Sequence, residues 1–202
     1  TGTGSKGVKV VRNLAELEDV DNSMLIEEFI DNDFALYIES LVQDGELKNY
    51  VIFNTKLEPD TFTVRVSSLP SLGTEEVTSE LVDFVEDMID KLGIQNGSFG
   101  IEAKLGAGKE IYIIEMNPRT VGEGSALLPN ICYGIDLIGD GIKIALGESI
   151  STAKNTNEKP CAMRRLGSDS EGTLIDVYLG ELADPDVPFD EVYSYRIDQE
   201  KF

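Results

Sequence analysis

The amino-acid sequence predicts an α+β domain in which antiparallel sheets are flanked by helices. Two hairpin signals support this class, because runs rich in β-branched and aromatic residues meet at Asp44-Gly45 and again at residues 106–108, Gly-Ala-Gly. Short turns that contain glycine join antiparallel strands. Between the hairpins, apolar residues recur every three or four positions over residues 77–92, which is typical of a helix that packs one face on a sheet.

The elements before the first hairpin are short. Residues 8–11 and 24–30 are apolar and are predicted to be strands, the second of them buried. Asn13 is expected to cap a short helix over residues 14–20, because Glu16 follows it three positions later.

The sequence signals are clearest for the helix and strands in the middle of the chain. Thr74 is predicted to cap the long helix and Gly93 to end it. The strands of the two hairpins and of the segment between the first hairpin and the helix are predicted over residues 34–42, 47–53, 61–67, 98–105 and 110–116.

Helices over residues 124–133 and 136–146 are expected next. A polar linker over 151–159 and strands over 161–166, 173–179 and 191–197 complete the prediction. This divides the chain into a glycine-loop lobe (1–30), a main lobe (31–150) and a β-rich extension (151–202). Both ends are expected to be cut through structure, because the opening glycine loop lacks the strand that should precede it.

The composition restricts the partners. The 202 residues include 17 basic and 38 acidic side chains, a formal charge of −21. This field repels phosphate backbones, so neither nucleic acid nor an anionic membrane is expected as a partner. No apolar run reaches the roughly 20 residues that a membrane span needs, and a secretory leader is not expected. A cytoplasmic location is therefore expected.

Cysteine and histidine content limits the chemistry. Cys132 and Cys161 have apolar neighbours and no metal-site spacing, so reduced thiols are expected rather than a disulfide. The chain has no histidine, which removes Ser-His and Cys-His nucleophiles and most zinc sites. Catalysis would have to use carboxylates, Lys, Arg, backbone amides or a hard metal ion.

The N-terminal glycine loop resembles a dinucleotide motif only superficially. Gly2, Gly4 and Gly7 satisfy G-x-G-x-x-G, but that motif works between a strand and a helix, and the apolar run that follows predicts a strand. A glycine loop between two strands can still bind phosphate through its backbone N–H groups, with Ser5 and Lys6 as further donors. The alternative is a mobile loop without a ligand.

A second cluster lies on the second predicted hairpin. Strand alternation places Glu102 and Glu115 on one face, with Asn117 two positions further along it. Two acids and an amide suit a hard dication, because magnesium prefers carboxylate and amide oxygens. The alternative is a solvated acidic face, and Ile113 and Ile114 beside Glu115 argue against full exposure.

Three motifs in this order resemble the ATP-grasp family of carboxylate–amine ligases. They are Gly2-Thr3-Gly4-Ser5-Lys6-Gly7-Val8, the hinge Leu25-Ile26-Glu27-Glu28-Phe29-Ile30, and Glu115-Met116-Asn117-Pro118-Arg119. The resemblance covers residues 1–150 and implies the ATP-grasp fold with its N-terminal portion missing. Residues 162–166 and Glu171-Gly172 are similar to the amino-acid and dipeptide ligases of the family.

The resemblance implies a role for each motif. Lys6 and the loop amides would close over the phosphates of ATP, Glu27 and the backbone of Phe29 and Ile30 would contact adenine, and Arg119 would be catalytic by steadying an acyl phosphate. The residues implied at ATP are Gly4, Ser5, Lys6, Gly7, Glu27, Glu28, Phe29, Ile30 and Asp33. The residues implied at Mg²⁺, or Mn²⁺ in its place, are Glu102, Glu115 and Asn117, which makes 31–150 the magnesium- and ATP-binding lobe.

Some features depart from the family. The lysine usual on the strand before the glycine loop is absent, as is the N-terminal substrate domain. After the hinge, many members show Gly-Pro-Glu, whereas this chain has residues 31–33, Asp-Asn-Asp. Asp33 is the candidate substitute for the acid that binds ribose.

The implied reaction joins a small-molecule carboxylate to an amine through an acyl phosphate. Such chemistry depends on positioning and charge neutralisation. The alternatives are a carboxylase or purine-pathway member, a nucleotide-binding fragment or subunit inactive alone, and an acidic scaffold in which Glu102 and Glu115 point apart. Homo-oligomerisation of the parent protein stays open. Arg65, Arg164 and Arg165 could contact an anionic substrate or form surface ion pairs.

Overall fold

Six strands form one antiparallel sheet in the part of the chain that the structure describes. The computed structural model of the protein describes residues 7–32, 34–58, 64–152 and 160–165, which lie in one compact unit, Thr1–Arg165. The strands are β1 (Phe34–Gln43), β2 (Glu46–Leu57), β3 (Val64–Leu69), β4 (Asn96–Leu105), β5 (Ile111–Asn117) and β6 (Cys161–Arg164). Their order across the sheet is β5-β4-β1-β2-β3-β6.

Both predicted hairpins are present. Asp44 and Gly45 adopt φ angles of 56° and 76°, as the tight turn between β1 and β2 requires. The second hairpin joins β4 to β5, and Lys109 in its turn has φ of 71°. The predicted strands over residues 61–67 and 161–166 correspond to β3 and β6, whereas those over 173–179 and 191–197 lie outside the described residues.

The helices are α1 (Glu75–Leu92), α2 (Leu128–Tyr133) and α3 (Leu137–Ala145). Thr74 caps α1 through a hydrogen bond from the Val77 amide, and Gly93 ends it in the left-handed conformation. A 3₁₀ helix, Leu14–Asp19, begins at Asn13, whose side chain accepts from the Ala15 amide. The caps predicted from the sequence are therefore confirmed. Another 3₁₀ turn, Glu123–Leu127, leads into α2.

Two predicted strands are absent. Residues 8–11 and 24–30 make no strand, and the side chains of Leu25 and Ile26 are 80% and 70% exposed. The prediction of a buried strand over 24–30 was wrong, because apolar composition alone does not provide a neighbouring strand to pair with. Among the described helices, none is both long enough and apolar enough to cross a bilayer.

The sheet packs on both faces. One face of β1, β2 and β4 packs against α1 through a cluster that includes Ile38, Leu81 and Ile101. The opposite face packs against α2 and α3 through a cluster that includes Leu41 and Leu137. Central strand β1 is buried along nearly its whole length, which makes any charged residue on it notable.

Candidate active site

Two carboxylates face each other on β4 and β5. Glu102 and Glu115 are directly opposed in the antiparallel register, and a bulge follows between Glu102 and Ala103. Directly opposed residues project to the same face of a sheet. The pairing that strand alternation predicts is therefore present, and it rules out an arrangement in which the two acids point apart.

The two carboxyl groups strongly influence each other. Burial, followed by the charge of Glu115 and a hydrogen bond between the two side chains, raises the pKa of Glu102 to about 7. Arg119 acts in the opposite direction, but its influence is smaller. A carboxyl group with this pKa holds its proton well above the usual pH range, since ionising it would place a second negative charge beside Glu115.

Asn117 completes the predicted set. It lies opposite Gly100 on the same face, and its Nδ2 donates to Glu115 Oε1 over 2.8 Å. The expectation that Ile113 and Ile114 would shield Glu115 was wrong. Ile113 is 37% exposed, Ile114 is 49% exposed, and Glu115 is exposed as well. The reason is the position of β5 at the edge of the sheet.

Arg119 lies in a loop that is tied to the sheet at several points. Its amide donates to the Asn117 carbonyl over 2.8 Å, and its Nη1 donates to the Thr120 carbonyl over 3.1 Å. The hydroxyls of Thr120 and Ser98 are 2.8 Å apart and hydrogen bonded. The guanidinium is close enough to Glu102 to affect the pKa of that carboxyl group, so the predicted catalytic arginine is near the predicted metal ligands.

Two further residues share this face and were missed by the sequence analysis. Glu39 on β1 is fully buried and lies opposite Gly100, while Tyr37 lies opposite Glu102. A Cβ atom at position 100 would overlap the Tyr37 hydroxyl, so that hydroxyl occupies the space above Gly100. The available signal was a Glu within the otherwise apolar run of β1, residues 34–43.

Burial is the largest influence on the pKa values of both Glu39 and Tyr37. It raises the pKa of Glu39 to about 8, with the Val121 amide and Arg119 acting in the opposite direction. Burial raises the pKa of Tyr37 as well, followed by the negative charges of Glu39 and Glu102. The face from β1 to β5 therefore carries three acids near one arginine.

The hinge segment contacts β4 at the edge of this face. Lys104 Nζ donates to the Ile30 carbonyl over 3.1 Å and lies 5.6 Å from the centre of the Phe29 ring. In return, Asn32 Nδ2 donates to the Leu105 carbonyl over 3.0 Å. Lys104 is on the same strand as Glu102, two positions away, so the hinge lies beside the carboxylate face.

The remaining predicted residues stay predictions. Gly7 has φ of 83°, a conformation suited to glycine, but Gly4, Ser5, Lys6 and Asp33 lie outside the described residues. Glu27 and Glu28 are exposed on the hinge. Arg164 is an exposed residue of β6 opposite Val66, and the side chain of Arg65 is not described. The division of the chain at residues 30/31 and 150/151 stays a prediction.

The donor set suits a hard cation. Within the described ranges, no group of three or more His, Cys, Asp or Glu side chains is arranged to bind a metal, and the predicted set is two carboxylates and one amide. Carboxylate and amide oxygens are the ligands that Mg²⁺ and Mn²⁺ prefer. Burial and then the charge of Glu115 raise the pKa of Glu102, and a dication between the two acids would offset both effects.

Comparison with known proteins identifies the family. A model of the ATP-grasp domain matches residues 6–126. The uncharacterized protein y4rH of Sinorhizobium fredii is 28% identical, and the match covers 86% of this chain and 38% of y4rH.

Two solved structures have a similar fold. The L-amino acid ligase of Bacillus licheniformis matches with a TM-score of 0.63 and 23% identity, over 72% of this chain and 36% of the ligase. The biotin carboxylase domain of the 2-oxoglutarate carboxylase of Hydrogenobacter thermophilus, in complex with MgADP, ADP and bicarbonate, matches with a TM-score of 0.55 and 21% identity, over 65% of this chain and 29% of that domain.

The chain thus spans well under half the length of each of these three proteins. The family model covers more than half of the chain, and the antiparallel sheet with its flanking helices is the predicted architecture. The chain belongs to the ATP-grasp family.

Proposed function

We propose that this chain is the ATP- and magnesium-binding part of an ATP-dependent ligase that activates a carboxylate as an acyl phosphate for attack by an amine. The observation that carries the proposal is the opposed pair Glu102 and Glu115 on β4 and β5, with Asn117 hydrogen bonded to Glu115. Family membership provides the ATP-dependent ligase class. The substrates and the carbon–nitrogen bond are the finer part of the proposal.

Glu102, Glu115 and Asn117 would hold magnesium. A bound dication supplies charge neutralisation for transferring phosphoryl groups. The chain itself provides three oxygen ligands on one face of a hairpin, and the rigid sheet keeps their spacing. Because Glu102 must lose its proton to bind a cation, and its pKa is raised to about 7, the site binds metal best above neutral pH.

The nucleotide would lie between the hinge and the glycine loop. The backbone of Phe29 and Ile30 would contact the base, and Lys104 and Asn32 hold this segment against β4. Gly4, Ser5, Lys6 and Gly7 would contact the phosphates, and Asp33 would contact the ribose. Residues 4–30 would therefore supply the contacts to base and phosphates, and residues 31–150 the contacts to ribose and metal.

Arg119 would bind the anion formed on the substrate. An arginine is always charged and presents several donors in a fixed plane, so it can hold a phosphoryl or carboxylate group as negative charge develops. Its loop is tied to Asn117 and Ser98, which limits the reorganisation required during the reaction. The choice of an amine as the second substrate is supported by the resemblance and by the higher TM-score of the amino acid ligase, 0.63 against 0.55.

Calorimetric titration of ATP tests the proposal. The wild-type chain and a Glu115→Ala/Asn117→Ala variant are titrated in Mg²⁺ and again in EDTA, beside a Glu75→Ala/Glu76→Ala control that removes exposed acids from α1. Saturable binding that requires Mg²⁺, persists in the control and is lost in the site variant would support the magnesium site. Equal binding by all three proteins would refute it.

The complete protein carrying this chain provides the decisive comparison. If the chain alone does not bind ATP but the complete protein does, nucleotide contacts from outside the chain are needed. If neither binds ATP, the ligase proposal is refuted. Release of ADP on addition of amino acids as test carboxylates would then distinguish an amino-acid ligase from a carboxylase, which requires bicarbonate.

A further inference from the structure

Glu39 is a fully buried carboxylate that the proposed metal and nucleotide contacts do not use. It lies on central strand β1 with no exposed surface. Its Oε2 accepts a hydrogen bond from the Val121 amide over 3.0 Å. Its Oε1 is buried and accepts no hydrogen bond within the described part of the chain.

The needs of folding do not explain an acid at position 39. A buried carboxyl group costs stability whether it ionises or keeps its proton, unless its polar atoms are hydrogen bonded, and Glu39 Oε1 accepts no hydrogen bond within the described residues. The neighbours of Glu39 on the same face of β1 are Tyr37 and Leu41, which belong to the apolar cluster under α2 and α3. An apolar residue at position 39 would complete this cluster, so packing does not account for the acid.

The partner of Glu39 points to a role in the site. Val121 follows Arg119 by two residues, and the segment from Asn117 to Val121 is the loop that carries the proposed catalytic guanidinium. This loop is tied at its start by the Arg119 amide to the Asn117 carbonyl and in its middle by Thr120 to Ser98 on β4. The bond from Val121 to Glu39 ties its end to β1.

We propose that Glu39 is a positioning residue that holds the loop of residues 117–121 against β1, and that it thereby fixes the Arg119 guanidinium above the carboxylate face where an anionic phosphoryl group binds. This inference rests on the proposed function, which gives Arg119 its anionic ligand. Arg119 is near enough to interact electrostatically with Glu39. The acid therefore anchors the loop through its hydrogen bond with the Val121 amide.

Two substitutions at position 39 separate the hydrogen bond from the shape of the side chain. Glu39→Met has a similar shape but accepts no strong hydrogen bond, so the end of the loop is released. Glu39→Gln keeps an oxygen that can accept from the Val121 amide and should rescue most of the function. Ser40→Ala is the matched control, because Ser40 is a fully buried polar residue of the same strand on the opposite face, and its hydroxyl also has no partner within the described residues.

The test uses the complete protein and inorganic phosphate as the probe. Phosphate is titrated into protein saturated with MgADP, for the wild type, Glu39→Met, Glu39→Gln, Ser40→Ala, Arg119→Ala and the Glu39→Met/Arg119→Ala double variant. Loss of one partner of a buried hydrogen bond corresponds to about tenfold in affinity. Arg119→Ala and Glu39→Met should each weaken phosphate binding by about this factor, and MgADP affinity should stay unchanged.

The double variant separates positioning from an independent effect. If Glu39 acts through Arg119, the double variant binds phosphate no more weakly than Arg119→Ala, since coupled residues are not additive. Losses that multiply in the double variant, or wild-type phosphate affinity in Glu39→Met, would overturn the inference while leaving the proposed function in place. Failure of the wild-type protein to bind MgADP would instead remove the proposed function and this inference together.

Hydrogen exchange tests the contact without nucleotide. In the wild type the Val121 amide is protected by Glu39, and in Glu39→Met its exchange should become faster while amides in the middle of β4 are unaffected. Glu39→Gln should restore the protection. Unchanged exchange at Val121 in Glu39→Met would overturn the anchoring role whatever the outcome of the ligand titrations.

Discussion

Replacing Glu39 with glutamine should change how the stability of the nucleotide-free protein depends on pH. The pKa of Glu39 is raised from an ordinary 4.5 to about 8 in the folded protein. Between these two pH values the folded state holds a proton that the unfolded chain has released. The free energy of unfolding therefore falls as the pH rises through this interval.

The size of the effect follows from the same values. Each pH unit across the interval costs roughly 1.4 kcal/mol, so by pH 9 the ionised carboxylate destabilises the folded state by about 5 kcal/mol relative to pH 4. Glu39→Gln has no proton to lose. The variant should gain stability relative to the wild type as the pH rises, by an amount on the order of 3–5 kcal/mol between pH 5 and pH 9.

Urea unfolding at each pH from 5 to 9, in EDTA and at constant salt, measures this difference. The highly acidic chain has its own pH dependence, and Glu76→Gln on the exposed face of α1 controls for the loss of one charge. The wild type and Glu76→Gln should follow parallel curves while Glu39→Gln diverges upward at high pH. If all three curves are parallel, Glu39 is ionised in the folded protein at ordinary pH, and the argument from burial is refuted.

Three other outcomes are expected from single features of the structure. Mg²⁺ affinity, measured by calorimetry at pH 6, 7 and 8, should weaken by up to about tenfold per pH unit below pH 7. The reason is that the raised pKa of Glu102 makes protons compete with the cation. An affinity that does not change with pH would exclude Glu102 as a ligand. Lys104→Met should weaken MgATP binding by about tenfold, because the charged hydrogen bond to the Ile30 carbonyl is lost. The affinity for inorganic tripolyphosphate, which has no base, should stay unchanged. An equal loss of affinity for both ligands would contradict a role of Lys104 at the hinge. Thr74→Ala should lower the free energy of unfolding by about 1 kcal/mol in urea titrations, because the cap to the Val77 amide is lost, and Thr74→Ser should keep most of it.

Short sequence patterns correctly predicted the turns and helix ends, because these features depend on only a few neighbouring residues. The Asp44-Gly45 turn, the Thr74 cap and the Gly93 terminus each need only a few neighbouring residues, and all are present. The opposition of Glu102 and Glu115 was also predictable, since a short hairpin restricts the register to few choices. The two cysteines are free thiols in the structure, as their apolar context indicated.

The features that were predicted wrongly or missed depend on contacts between residues that are distant in sequence. The hinge over residues 24–30 has the composition of a strand, but Ile30 at its end is hydrogen bonded to Lys104, 74 positions away. The role of Glu39 was not predictable because its partner Val121 is 82 positions away. No periodic pattern indicates which buried acid will meet which loop, since only the order of strands across the sheet brings them together.

The overlap between Tyr37 and position 100 has a consequence for how this sequence can change over time. Because any Cβ at position 100 would collide with the Tyr37 hydroxyl, a side chain can be accepted there only after residue 37 has become smaller. The two positions therefore have a preferred order of substitution, with residue 37 changing first. Relatives in which residue 100 is not glycine should lack tyrosine at position 37, and lineages that keep the tyrosine should keep the glycine.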